Sequence, residues 1–159
     1  MIKLDLLDVI QVEEHPYPLV LLRHENRILP ILVGEPEASA IQLGLMNEKT
    51  ARPMTHDLIC NIFAGLRSEL ESVTIYQLEN DTFYAHLNVV QKNEKGQTEQ
   101  VLRIDSRPSD GIAIAVRIGC PIYASEEVME IAGKDASILG GRDEQEDHDG
   151  GDMDPLDGV

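Results

Sequence analysis

At 159 residues and 42% apolar composition, the chain is long enough for one domain with its own core and too apolar for a wholly disordered protein. A formal charge of −16 opposes tight, non-specific binding to phosphate backbones, and 4% aromatic content with no Trp leaves few rings for stacking bases. From Arg142 onward eight acids against one Arg contribute −7 of that charge, so residues 1–141 still carry −9.

The first elements read as strands. Ile2 to Val12, Pro18 to Arg23 and Arg27 to Val33 are rich in Leu, Ile and Val and are separated by turn-prone residues around His15-Pro16 and Glu25-Asn26, which predicts an antiparallel meander. A helix follows from Glu35 to about Met46, with Ala38, Ile41 and Leu45 on one face and two Glu in its first turn, where carboxylates suit the helix dipole. Met54 to Leu66 predicts a second helix with Thr55 as N-cap, a Met54/Ile59 staple, and a core stripe of Leu58, Ile59, Ile62, Phe63 and Leu66.

Ser72 to Gln77, Thr82 to Val90 and Thr98 to Ile104 predict three more strands, with turns at Glu79-Asn80-Asp81 and Asn93-Glu94-Lys95-Gly96. The run from Gly111 to Val116 is apolar all round, so as a helix it must be buried on nearly every side. Pro121 to Ala124 then suits a last strand and Glu126 to Ala132 a short helix. Residues 1–135 thus form the domain, and the acidic segment 140–159 is expected to be disordered.

An offset of 73 residues sets Leu29, Ile31, Glu37, Ala38, Ala40 and Ile41 opposite Leu102, Ile104, Asp110, Gly111, Ala113 and Ile114. Each half then reads strand, strand, strand, helix, which suggests a duplicated unit. The fold class expected is α+β: one domain with a mixed, mainly antiparallel sheet and packed helices.

Two segments hold most of the unusual polar chemistry, Arg52-Pro53-Met54-Thr55-His56-Asp57 and Asp105-Ser106-Arg107-Pro108-Ser109-Asp110. Asp105, Arg107 and Asp110 sit where a strand hands over to a helix, a place where backbone N–H groups and the helix dipole favour anions. Two carboxylates near one Arg suit a divalent cation and a phosphate. The same residues also serve as an ordinary helix start: Pro108 as first residue, Asp110 as cap, and Arg107 paired with Asp105 or with Glu37.

His56 has the chemistry of a general acid or base, or of a surface histidine in a first helical turn beside the Thr55 cap. Cys60 and Cys120 are far apart in apolar sequence and read as reduced, buried thiols. With no leader-like start and no membrane-length apolar run, the expected location is the cytoplasm.

The two polar segments, with Thr82-Phe83-Tyr84-Ala85, the small residues Ala113 and Ala115, and Pro121-Ile122-Tyr123, resemble the bifunctional nuclease domain family from the first strand to about Ala132. Plant members of that family are described as cleaving RNA and DNA. The resemblance therefore implies a nuclease acting on RNA and DNA. It carries over Arg52, Thr55, His56, Asp57, Asp105, Arg107, Ser109 and Asp110 as the polar motif residues, with Glu37 as their companion from the first half, and leaves their individual roles open. Taken with the chemistry of the strand-to-helix junction, the expected catalytic groups are His56, Asp57, Asp105 and Asp110, the expected substrate contacts Arg52, Thr55, Arg107 and Ser109, and the expected ligands of a Mg²⁺ or Mn²⁺ ion Asp105, Asp110 and Glu37. The alternative is a non-enzymatic binding or regulatory module in which the same residues are structural. A homodimer or small oligomer is expected under either reading, since edge strands need covering.

Overall fold

The computed structural model describes residues 1–140, so all but the first residue of the acidic segment lies outside the described residues. Its strands are β1 (Ile2–Ile10), β2 (Leu19–His24), β3 (Arg27–Leu32), β4 (Ser68–Glu79), β5 (Thr82–Lys92), β6 (Thr98–Ser106), β7 (Ile122–Ala124) and β8 (Lys134–Asp135). The helices are α1 (Glu35–Leu45), α2 (Thr55–Gly65), α3 (Pro108–Ile118) and α4 (Glu126–Ala132). Each expected strand and helix is present, and β4 begins four residues earlier than its apolar alternation suggested.

One sheet runs β6-β5-β4-β7-β1-β2-β3-β8, antiparallel throughout except for the β4–β7 pair. It is the mixed, mainly antiparallel sheet expected of the α+β class. The order is close to a palindrome about β7: β6-β5-β4 on one side answers β3-β2-β1 on the other. Each triplet continues into a helix, β3 into α1 and β6 into α3, so the strand, strand, strand, helix unit occurs twice.

The turns follow from local chemistry. Asn80 and Asp81 both take left-handed backbone, at φ 49° and 60°, which gives the β4–β5 hairpin the twist its strands need, and Asx residues tolerate that region. Gly119, at φ 83°, ends α3 in the left-handed region that Gly enters without a steric penalty.

The core lies where α3 packs on the sheet. The ladder registers place Leu4, Ile122, Val73, Leu87 and Ile104 in one row across β1, β7, β4, β5 and β6, and the first four are at most 5% exposed. Ile112 to Ala115 above them are fully or almost fully buried, as an all-apolar helix requires. Each such Leu, Ile or Val side chain contributes about 1.5–3 kcal/mol of transfer free energy.

Two details of α2 and one of α1 differ from the sequence reading. Met54 holds the N-cap position and Thr55 is the first helical residue, because the Asp57 carboxylate, in the third position, accepts the Met54 N–H at 2.9 Å and caps the helix from inside. Leu58, Ile62 and Leu66 are 47–57% exposed, and only the side carrying His56, Ile59, Cys60 and Phe63 turns inward. Apolar residues surround α2 almost completely, so periodicity alone does not select its inner face. Leu45, in the last turn of α1, is likewise exposed.

Gly111 sits directly over the sheet, where an added Cβ would come within 2.7 Å of the Val73 Cγ1. Val73 is fully buried and stiff at χ1, so it has little room to yield. The variant Gly111→Val is expected to lose about 1–3 kcal/mol of stability, measured by urea denaturation, through overpacking; an unchanged midpoint would show that α3 does not lie this close to β4.

A candidate active-site cleft at three helix starts

The first turns of α1, α2 and α3 meet at one place. Glu37, Asp57 and Asp110 each occupy the third position of their helix, so each starts with a carboxylate near its positive end. Glu37 and Asp110 are also the residues that the 73-residue offset equates. In the fold they meet through one guanidinium.

That guanidinium belongs to Arg107, the N-cap residue of α3. Its Nε donates to Asp110 Oδ2 at 2.9 Å, and its Nη2 donates to Asp110 Oδ1 at 3.3 Å and to Glu37 Oε1 at 3.1 Å. Of the two partners left open by the sequence, Glu37 is the one engaged; Asp105 is not. Asp110 does not cap backbone N–H groups as expected, because both of its oxygens are turned to side chains. The second bond of Oδ1 is with His56 Nε2, at 2.9 Å.

Burial pushes the Asp110 carboxyl up, but the hydrogen bonds from Arg107 and His56 outweigh it and leave the group below the usual carboxylate value. Asp110 is therefore ionised at neutral pH. The Arg107 guanidinium is held correspondingly above its ordinary value by the Asp110 bond. An ionised acceptor requires a donor, so His56 carries a proton on Nε2, and in the neutral ring Nδ1 is left as the acceptor.

A second arginine fixes the back of the site. Arg117 donates from Nε to Asp57 Oδ1 at 2.8 Å and from Nη1 to the carbonyls of Ala40 at 2.9 Å and Ala113 at 2.7 Å. Its side chain is only 10% exposed. Asp57 sits below the usual carboxylate value, first through the Met54 N–H bond and then through Arg117. One buried cation thus ties α1, α2 and α3 together. Sequence reasoning passed over Arg117 as one charge among many. The available signal was its place as the sole charged residue in the otherwise apolar last two turns of α3, where a buried charge must find partners.

Between these groups lies a cleft of about 370 Å³ lined by Glu37, Thr55, His56, Arg107, Asp110 and Arg117, with Pro36, Ala40, Leu43 and Met54 as its apolar wall. Ser109 is buried and opens instead on a neighbouring hollow that shares Glu37 and Arg107. Arg52 is exposed on the segment leading into α2 and lines neither. Asp105 is exposed on β6, opposite His86 in the β5–β6 ladder, and also stands outside the cleft.

The three carboxylates expected as metal ligands are accordingly not assembled. Among the described residues, no three His, Cys, Asp or Glu side chains are grouped to hold an ion. Mg²⁺ nevertheless commonly binds through one or two carboxylates, with substrate phosphate and water completing its shell. Glu37 and Asp110 supply that number at the cleft. Cys60 and Cys120 are free and half-buried, and burial raises both thiols, Cys120 to about 11, which leaves neither a ready thiolate.

Fold and cleft together define an α+β domain whose polar site is built at converging helix starts. The chain belongs to the bifunctional nuclease domain family, whose pattern matches residues 19–137. An uncharacterized protein of Mycobacterium tuberculosis is 42% identical over 118 residues, which cover 73% of this chain and 66% of that protein. Bifunctional nuclease 1 of Arabidopsis thaliana is 26% identical over 114 residues, 70% of this chain and 34% of the plant protein. Bifunctional nuclease 2 of Oryza sativa subsp. japonica is 29% identical over 113 residues, with 69% and 34% covered. The chain therefore matches about two thirds of the mycobacterial relative and one third of the plant ones. No helix among the described residues is long and apolar enough to cross a membrane.

Asp57 and Asp110 give the site a defined acid sensitivity. Both have folded values below the ordinary 3.8, so the stability they add is fully present above that value and is lost as pH falls through the lowered ones. Thermal unfolding should show a midpoint that drops below about pH 4, with a shallower acid limb in Asp110→Asn. An acid limb that is identical in the variant would mean that Asp110 is not held ionised by its partners.

Proposed function

We propose that the protein hydrolyses phosphodiester bonds of RNA and DNA at the cleft where α1, α2 and α3 begin. The observation that carries this reading is the bond of His56 to an ionised Asp110 whose other oxygen is held by a largely exposed arginine, within a family whose plant members are named bifunctional nucleases. The three helix starts add partial positive charge that suits a phosphate in an otherwise acidic protein.

Each residue then has a task. Asp110 fixes the Nε2–H form of His56 and stabilises the imidazolium once it forms. Nδ1 takes the proton from a water as the water oxygen attacks phosphorus; the scissile P–O bond breaks and the departing oxygen is protonated in turn. Arg107 presents the N–H groups it does not use on Asp110 and Glu37 to the phosphate oxygens. Thr55 offers a hydroxyl at the cleft wall, while Arg52 stands on the exposed approach to α2, where it meets the nucleic-acid backbone. Asp57 acts through Arg117 by holding α2 against α3. Mg²⁺ or Mn²⁺, held by Glu37 and Asp110, would neutralise charge on the phosphate.

A second reading rests on how completely the carboxylates and Arg107 satisfy one another: the network serves as a structural tie in a binding module with no catalysis. One assay separates the two. Labelled single-stranded RNA and DNA are incubated with purified protein and Mg²⁺ or Mn²⁺, with a chelator control. We expect metal-dependent cleavage, lost in Asp110→Asn and reduced about 10²–10⁴-fold in His56→Gln. Both variants should keep the wild-type circular dichroism. Absent cleavage, or cleavage equal in wild type and variants, would favour the structural tie.

A further inference from the structure

Met54, Leu58, Ile62 and Leu66 recur every four residues along α2 and are 51%, 52%, 47% and 57% exposed. His56 is the only residue of α2 that is buried, and of the six apolar side chains of the helix Leu58, Ile62 and Ala64 are exposed. Its sole acid, Asp57, is turned to Arg117, and the residues beside the stripe, Thr55, Asn61, Ala64 and Gly65, carry no charge. In a chain with 26% charged residues this is an uncharged apolar ridge.

We propose that this ridge is the contact between two copies of the chain, α2 against α2 about a two-fold axis. A row of side chains at four-residue spacing forms the ridge that packs into the groove of a second helix of the same kind, and a two-fold contact needs only a surface complementary to itself. At on the order of 100 Å² for each half-exposed Leu, Ile or Met, the stripe supplies roughly 400 Å² per copy, about half the standard 800 Å² share and enough to be its apolar centre.

Other occupants fit less well. A charged peptide would find no counter-charge on the ridge. An anionic lipid surface would meet the −9 of residues 1–141. The chain's own sequence beyond Gly140 has eight acids and only Met153, Leu156 and Val159 as large apolar residues, too few and too scattered to cover four ridge positions. Met54 belongs both to the ridge and to the cleft wall, so the second copy stands at the edge of the cleft.

The test is sedimentation velocity on the full chain up to about 100 µM, a range that reveals even a weak dimer. The expected mass is twice 17.7 kDa, falling to 17.7 kDa in Leu58→Glu/Ile62→Glu with no loss of helical circular dichroism. Since both residues are already in water, the charges should not unfold the monomer. Asn61→Cys, near the centre of the ridge, should form a disulfide-linked dimer on mild oxidation that the wild type does not form. A monomeric wild type, or a doubly substituted protein that keeps the dimer mass, would overturn the assignment.

Discussion

Everything at the cleft depends on one carboxylate having two partners. Asp110 lies at the start of α3, accepts from Arg107 of its own turn, and accepts from His56 across the gap to α2. Through the same guanidinium it is joined to Glu37 at the start of α1. Remove the charge on Asp110 and three helix starts lose their common centre. The local solution is economical, because a carboxylate in the third helical position is favourable in any case. Here it also holds a neighbouring imidazole in one protonation pattern.

The rest of the fold brings those starts together and keeps them there. The near-palindromic sheet gives each triplet of strands a helix to follow it, so Glu37 and Asp110 come from equivalent points of the two halves. Close packing then depends on small residues. A Cβ on Gly34 would strike the Glu37 carboxylate, and one on Gly44 would fall 2.5 Å from Val116 and 2.9 Å from Arg117. Both glycines leave room for the side chains that link α1 to α3. Arg117 closes the opposite end of the same contact, with a buried charge satisfied by one carboxylate and two carbonyls.

Much of this was legible in the sequence, and the gaps have physical causes. Strand alternation, Asx turns and the Pro108 start mark the elements because each is a local effect. The 73-residue offset set Glu37 opposite Asp110, and Glu37 was one of two partners the sequence left open for Arg107; the fold engages it because the two helix starts lie side by side. Pairing order is a different matter. Nothing local says that the three-residue β7 lies between β1 and β4, because that depends on where the whole chain returns. Asp105 was grouped with Asp110 by proximity in sequence, yet on β6 it faces His86 on the side of the sheet opposite the row of Ile104 and Leu87, away from α3 and the cleft. The inner side of α2 was hidden for a related reason: a helix apolar on both sides carries no periodic signal, and only the packing of His56 and Phe63 against α3 and the sheet decides it.

The most direct measurement is a double-mutant cycle on His56→Gln and Asp110→Asn, read by urea denaturation at neutral pH. If the Asp110 carboxylate couples α2 to α3 through the imidazole, the two losses should fail to add, with a coupling energy of about 1–2 kcal/mol. Losses that add to within about 0.3 kcal/mol would mean that the bond contributes nothing to holding the helix starts together, and the account of the cleft would fall with it.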